Sequence, residues 1–272
     1  MSTATSTGRA RRYALRWLAL GYLAVVLVGP LALVFWRTFE DGVAPAWNAL
    51  TTPETIHAFE LALLITAIAV PLNTVFGVVC ALLIVRHRFR GKGLLNAFVD
   101  LPLALSPVVV GLSLFLLYGR QGWFGGWLGD HDVQVLFALP GMVLATVFVS
   151  LPFVCREVVP TLREIGEEQE QAARTLGANG LQTLRRITLP AIRWAVVYGV
   201  VLTAARCLGE YGAVAVVSGR VQGQTETATL RVEERYDSFD LQGAYAISLV
   251  LALLAVLVLV AMTLLEPKER AA

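Results

Sequence analysis

The sequence predicts an all-α, polytopic membrane protein with six transmembrane helices. Three observations lead there. Hydrophobic residues make up 57% of the 272 positions and charged ones 15%, with a mean hydropathy of +0.67, far more apolar than an ordinary soluble domain. Six runs reach the length of about 20 mostly apolar residues that crosses about 30 Å of hydrocarbon at about 1.5 Å per residue. The basic residues are gathered in alternate gaps between those runs, which is the charge pattern of a chain that weaves through a bilayer.

In order, the runs are 17–36, 61–85, 94–118, 133–154, 194–218 and 241–265, the third less clean because Asn96 and Asp100 lie near its start. The first follows Arg9, Arg11, Arg12 and Arg16, which invites a signal-peptide reading. Its apolar stretch exceeds the usual h-region, and the nearest small-x-small site, Ala44-Pro-Ala46, lies beyond a charged stretch, so an uncleaved anchor is expected. Pro71, Pro102, Pro107, Pro140 and Pro152 fall inside runs, where neighbouring groups of a bundle can satisfy the carbonyls they free. Such kinks either shape the packing or serve a helix pack that rearranges.

With the N-terminus inside, the inner segments carry 16 Lys and Arg and the outer loops five, namely Arg37, Arg120, Arg220, Arg231 and Arg235. Both termini are therefore expected in the cytoplasm of a bacterium, with the bundle in its inner membrane. Trp17, Trp36, Trp123, Trp127 and Trp194 fall at or near the predicted interfaces, where an amphipathic ring is best placed. No outer loop is long enough for a further domain. The expected organisation is a cytoplasmic segment 1–16, a single transmembrane domain 17–265 and a cytoplasmic tail 266–272. Cys80, Cys155 and Cys207 lack the paired spacing of a disulfide framework or zinc site and read as small core residues.

One polar island interrupts the second half, from Arg156 to Arg193. Within it 162–176 reads as an amphipathic helix: Ile165, Ala172, Ala173 and Leu176 share one face, with Glu167, Glu168, Glu170 and Gln171 on the solvated side. Gly177-Ala-Asn-Gly180 stops that helix, and a second short one, 181–187, is expected to end at Leu189-Pro190. A helix, a sharp turn and another helix make a rigid knob on the cytoplasmic face.

The spacing Gln171-Ala172-Ala173, three residues, Gly177, nine residues, Ile187-x-Leu189-Pro190 resembles the EAA loop of ABC importer permeases, with Gln171 where that family usually has Glu. The likeness extends to Ser106-Pro-Val-Val-Val-Gly-Leu112, Leu139-Pro-Gly-Met-Val143, Leu151-Pro-Phe-Val-Cys-Arg-Glu-Val-Val-Pro160 and Gly209-Glu-Tyr-Gly-Ala-Val214, which look like the sulfate/thiosulfate importer permeases, the CysW-like subunit in particular. The resemblance implies a type I ABC importer permease fold that moves sulfate or thiosulfate inward by alternating access. It implies that Glu170, Gln171, Ala172, Ala173, Leu176, Gly177, Ala178, Ile187, Leu189 and Pro190 dock a cytoplasmic ATPase. It also implies the rest of the assembly: an ABC ATPase dimer that binds the ATP and Mg, a second, CysT-type permease and a periplasmic sulfate- or thiosulfate-binding protein. Within the same class, a molybdate, tungstate or phosphate permease remains an alternative.

The residues themselves support a transporter without its own energy source. The single Gly-Lys pair, Gly91-Lys92, has Arg86 where a phosphate-binding loop requires its first glycine. No cofactor is expected in this chain, and no nucleic acid as partner. An ion-coupled carrier would show more spans or internal repeats. An intramembrane enzyme would need a metal or nucleophile cluster, and His57, His87 and His131 lie far apart. Arg206 and Glu210 form the one ionisable pair deep in a run, either a brace between helices or a donor to a passing oxyanion. Ser106 and Ser150 are further pathway candidates, with Asn73 and Thr146 as weaker ones. Asp100 either snorkels to the interface or pairs with the cluster from Arg86 to Lys92. The polar loop from Gln222 to Asp240 either receives the binding protein or is merely solvated.

Overall fold

In hydrocarbon no water is at hand for the peptide groups, so a chain this apolar closes its hydrogen bonds by coiling. The computed structural model describes residues 6–265, and every regular element among them is a helix. Residues 1–5 of the predicted N-terminal segment and the whole predicted tail 266–272 lie outside the described residues.

Helix α1 (Ser6–Leu23) widens into a π-helical turn over Ala24–Val28 and continues as α2 (Gly29–Phe39). Pro30 accounts for the turn. Having no N–H, it leaves a carbonyl one turn back unpaired, and the Gly29 N–H donates to Ala24 O, five residues back instead of four. The short α3 (Val43–Leu50) leads to α4 (Pro53–Arg86), a helix of 34 residues capped by Thr52, whose hydroxyl accepts from the Thr55 N–H. Then come α5 (Lys92–Ala104), α6 (Pro107–Tyr118), the small α7 (Gly125–Asp130), and α8 (Leu139–Ser150), which runs on through Leu151 into α9 (Pro152–Ile165). The island holds α10 (Glu168–Thr175) and α11 (Gly180–Thr183), and α12 (Leu189–Leu208) leads away from it. The chain finishes with α13 (Gly212–Val217), α14 (Ala228–Asp237) and α15 (Leu241–Leu265).

Among the described residues, five helices are long and apolar enough to cross a membrane, 13–39, 53–86, 139–165, 180–208 and 241–262, and α5 with α6 make a sixth when the pair is counted as one bent span. The expected third span is thus bent by 110°. Pro107 is the cause: it disfavours helical backbone at the residue before it, Ser106 is extended at ψ 136°, and a new helix starts on the proline. The expected fourth span begins later, at Leu139, because 133–138 is irregular and the Phe137 N–H donates to Val217 O of α13 at 2.7 Å.

The expected fifth span, 194–218, is displaced toward the island. Its helix starts at Gly180 and stops at Leu208, leaving α13 as a separate piece. The expected helix end at Leu189-Pro190 is absent for the same reason that α1 and α2 are continuous. A π-turn over Leu184–Thr188 lets the Leu189 N–H donate to Leu184 O, and the helix carries on through Pro190.

Helix α4 packs against α8, α9 and α12. Two apolar cores lie along it. One, with Leu61, Ile65, Met142, Val214 and Leu230, is at the end away from the island; the other, with Ile84, Val99, Leu162 and Ile192, is at the island end. Between them Asn73, Ser150 and Cys207 form a buried polar layer. The most apolar 18-residue window of 13–39 has no residue buried within this chain, Thr38 at its end is buried, and α2 packs mainly against α15 and α3.

Candidate functional site

At the island, the expected single helix 162–176 is two helices. Gly166 ends α9 with φ +70° and ψ −165°, a conformation open to glycine and costly for any residue with a Cβ, and α10 starts two residues later. The far end of α10 closes by a Schellman turn. The Ala178 N–H donates to Ala173 O and the Gly177 N–H to Arg174 O, both at 3.0 Å, with Gly177 left-handed at φ +86°. Asn179 then opens α11 with a reciprocal capping box: its side chain accepts from the Gln182 N–H and the Gln182 side chain accepts from the Asn179 N–H, each at 2.9 Å.

This geometry sorts the predicted docking residues. Gln171, Ala172, Leu176, Gly177 and Pro190 are exposed, Leu176 at 89%, and Leu189 is partly so. Ala178 and Ile187 are half-buried and Ala173 is buried. The expected apolar face of Ile165, Ala172, Ala173 and Leu176 does not exist as one surface, because the break at Gly166 changes the phase between α9 and α10. Glu170, placed on the solvated side by its neighbours, is buried. Arg86 Nε lies 3.1 Å from both of its carboxylate oxygens, and Thr188 Oγ1 donates to Oε1 at 2.9 Å. Arg86 also donates to Leu162 O at 3.0 Å and to Gly166 O at 2.7 Å. Asp100, expected to snorkel or to pair with the Arg86 to Lys92 cluster, pairs instead with Arg156 at 2.7 Å. Sequence reasoning assigned Arg86 only to a basic cluster, and its one visible signal was its position as the first charge after an apolar run.

The second group of candidates lies where α12 breaks. Arg206 Nη1 is 2.7 Å from Glu210 Oε2. The contact is ionic rather than a directed hydrogen bond, since that oxygen has no well-angled donor. Glu210 is not inside a helix as expected but in the gap before α13, where its Oε1 accepts from the Ala213 N–H at 3.0 Å. The pair is unequal: the Glu210 side chain is 2% exposed and that of Arg206 33%. Ser106 is exposed at the start of α6 with its side chain free of any capping bond. The two interrupted spans meet near their interruptions, for a Cβ on Gly212 would stand 3.0 Å from Pro107 Cβ, and one on Gly111 would stand 2.8 Å from Ala213 O. Ser150, the other pathway candidate, sits inside the polar layer. It is buried, donates to Thr146 O at 2.6 Å and accepts from Asn73 Nδ2 at 2.8 Å, and Thr146 bonds back to Met142 O.

The segment expected as a polar loop, 222–240, contains α14, which is bound to the break. Thr229 Oγ1 donates to Glu210 O at 2.8 Å, and the Tyr211 hydroxyl donates to Glu233, itself 3.0 Å from Arg220. Arg231 is buried between Glu226 at 3.3 Å and Glu234 at 3.1 Å. Burial pushes the Glu226 carboxyl up from its ordinary value, against the downward pull of Arg231. The three cysteines are buried and free.

Residues 73–271 match the family model of the binding-protein-dependent transport system inner membrane component. A sulfate transport system permease protein CysW from Synechocystis sp. is 48% identical over 257 residues, 94% of this chain and 93% of that one. The CysW protein of Escherichia coli K12 is 43% identical over 92% of this chain and 88% of its own length, and a sulfate transport system permease protein CysT from Salmonella typhimurium is 36% identical over 92% and 90%. Among solved structures, a bacterial ABC transporter involved in the import of the acidic polysaccharide alginate superposes with a TM-score of 0.78 at 15% identity, covering 95% of this chain and 94% of that one. Alginate ABC transporter in complex with a pentasaccharide-bound periplasmic protein gives 0.75 at 16% identity over 95% and 93%.

Proposed function

The chain belongs to the family of inner membrane components of binding-protein-dependent transport systems, and from that membership we propose that it is the CysW-like permease subunit of an ATP-driven importer of sulfate. The observation that carries the substrate is identity of 43–48% to CysW sulfate permeases along about nine-tenths of both chains. The fold is that of a type I ABC importer permease, a multi-pass inner membrane protein, and hydrolysis belongs to a partner subunit.

Residues 17–265 form one membrane domain with both termini cytoplasmic, supported by the 16 basic residues on the island side. α10 acts as a coupling helix and offers Gln171, Ala172 and Leu176 to an ABC ATPase dimer that holds the ATP and Mg. An isobutyl group 89% exposed at a helix end is apolar surface that a partner would cover. A CysT-type permease packs beside this chain, consistent with an N-terminal span whose most apolar window has no residue buried within this chain. On the outer side a periplasmic sulfate- or thiosulfate-binding protein meets α14, and the bonds from Thr229 and Glu233 carry that contact to the break at Glu210 and Tyr211.

Arg206 touches the anion. A pure brace would bury both partners, whereas here Glu210 is buried and holds an Arg whose side chain is still 33% exposed. The test is uptake of labelled sulfate into vesicles carrying the complete complex, in competition with thiosulfate, molybdate, tungstate and phosphate. Sulfate and thiosulfate should compete, and preference for any of the other three would overturn the substrate.

A further inference from the structure

We propose that Arg86 and Glu170 form the link that carries movement of α10 into the helix bundle, so that the pair sets the coupling between ATP hydrolysis and transport rather than the docking itself. This rests on the reading of α10 as the ATPase-docking element. The family resemblance places Glu170 in the docking surface, but the structure turns it inward.

Helix α10 is held between two glycines with positive φ, Gly166 at +70° and Gly177 at +86°, and no neighbouring atom lies within 4 Å of where a Cβ would sit on either. Of the two, Gly177 is closed by the Schellman bonds, which leaves Gly166 as the swivel of this eight-residue helix. Alone, a helix so mounted would tilt when pushed, and the push would be lost. One buried side chain prevents this.

The Arg86 guanidinium reaches the carboxylate of Glu170 on α10, the carbonyl of Leu162 on α9 and that of Gly166 in the swivel itself. Both side chains of the ion pair are 9% exposed. From the other direction Thr188, in the π-turn that leads into α12, donates to the same carboxylate. Arg86 is the last residue of α4, the helix that α8, α9 and α12 all contact. The planar guanidinium offers donors in fixed directions, so the contact resists rotation as well as separation. A displacement of α10 therefore reaches α4, α9 and α12 together.

The experiment uses the full complex of this chain, its partner permease, the ATPase and the binding protein, with two readouts: ATPase retained on purification, and sulfate moved per ATP hydrolysed. Arg86→Gln and Glu170→Gln should keep the ATPase and its hydrolysis while sulfate moved per ATP falls about tenfold or more, and Arg86→Lys, which keeps the charge but loses the planar fork, should lower that ratio less than Arg86→Gln. Complexes that assemble with the wild-type ratio, in whatever yield, overturn the link. Should the charge variants fail to assemble, Thr188→Val is read on the same ratio, where a smaller fall supports the link and an unchanged ratio overturns it. Failure of the docking reading looks different: there Leu176→Asp would leave ATPase retention as in the wild type.

Discussion

Gly199 of α12 faces Val154 of α9 so closely that a Cβ on the glycine would stand 2.8 Å from the valine Cα. Gly77 of α4 approaches the same valine from another side, with 2.7 Å between its would-be Cβ and Val154 Cβ. Three helices thus meet around one fully buried side chain, a contact that only glycine allows. Gly199→Ala must push α12 off α9, because the opposing atom is backbone and cannot swing away. An overpacked site of this kind costs about 1–3 kcal/mol. The purified complex should melt at lower temperature, and an unchanged melting temperature would mean the helices separate freely.

Gly177 is open in space and constrained in backbone. Nothing lies within 4 Å of its missing Cβ, yet its φ is +86°. Left-handed backbone costs an ordinary L-residue about 1–2 kcal/mol, and Asn tolerates it best. Gly177→Asn should therefore retain more ATPase on purification than Gly177→Val. Equal retention by the two would show that the turn at Gly177 does not position the docking surface.

Leu176 tests the docking surface and the sidedness of the membrane at once. With all three native cysteines buried, Leu176→Cys provides a single accessible thiol. A membrane-impermeant maleimide should label it in inside-out vesicles and not in intact cells, and bound ATPase should protect it. Labelling from outside intact cells would reverse the topology.

Arg206 and Glu210 should respond differently to loss of charge. Glu210 is buried, holds Arg206 and also accepts from the first turn of α13, whereas the Arg206 side chain is one-third exposed. Arg206→Gln should give an intact complex with transport slowed by about tenfold, the scale of one lost charge-assisted hydrogen bond. Glu210→Gln should lower the yield of complex instead. An Arg206→Gln complex that forms poorly yet transports normally per molecule would make the pair a brace.

Glu226 gives the outer segment a pH dependence. Burial raises its carboxyl above 4.5 despite Arg231. A carboxyl with a raised folded value binds protons more readily when folded, so its contribution to stability is complete at pH below the unfolded value and is lost as pH rises through the folded one. The difference in melting temperature between wild type and Glu226→Gln should move against the wild type as pH rises from about 4 to about 8. A difference that stays level, or runs the other way, would mean Arg231 compensates the charge in full.

Much of the architecture was legible in the order of residues alone. Hydrocarbon demands long apolar helices, and the runs at 17–36, 61–85 and 241–265 say so without reference to any neighbour. Spacing also sufficed for the turn at Gly177, because a left-handed C′ glycine is a local requirement that α10 and its Schellman bonds meet by themselves. The interruptions were less accessible. Pro107 stands in an apolar run and Pro190 in the polar island, yet Pro107 begins a new helix at 110° while Pro190 lies within a continuous one. The difference is whether the preceding turn can slip into π-geometry, which depends on what packs around it.

Burial of charge was the other thing hidden from the sequence. By composition and periodicity Glu170 belongs with Glu167 and Glu168 in water, and Arg86 belongs with Arg88 and Arg90. Tertiary structure took one residue from each group and joined them across 84 positions of chain. A charge leaves water only for a partner already in place, and no local pattern records where a partner 84 residues away will be.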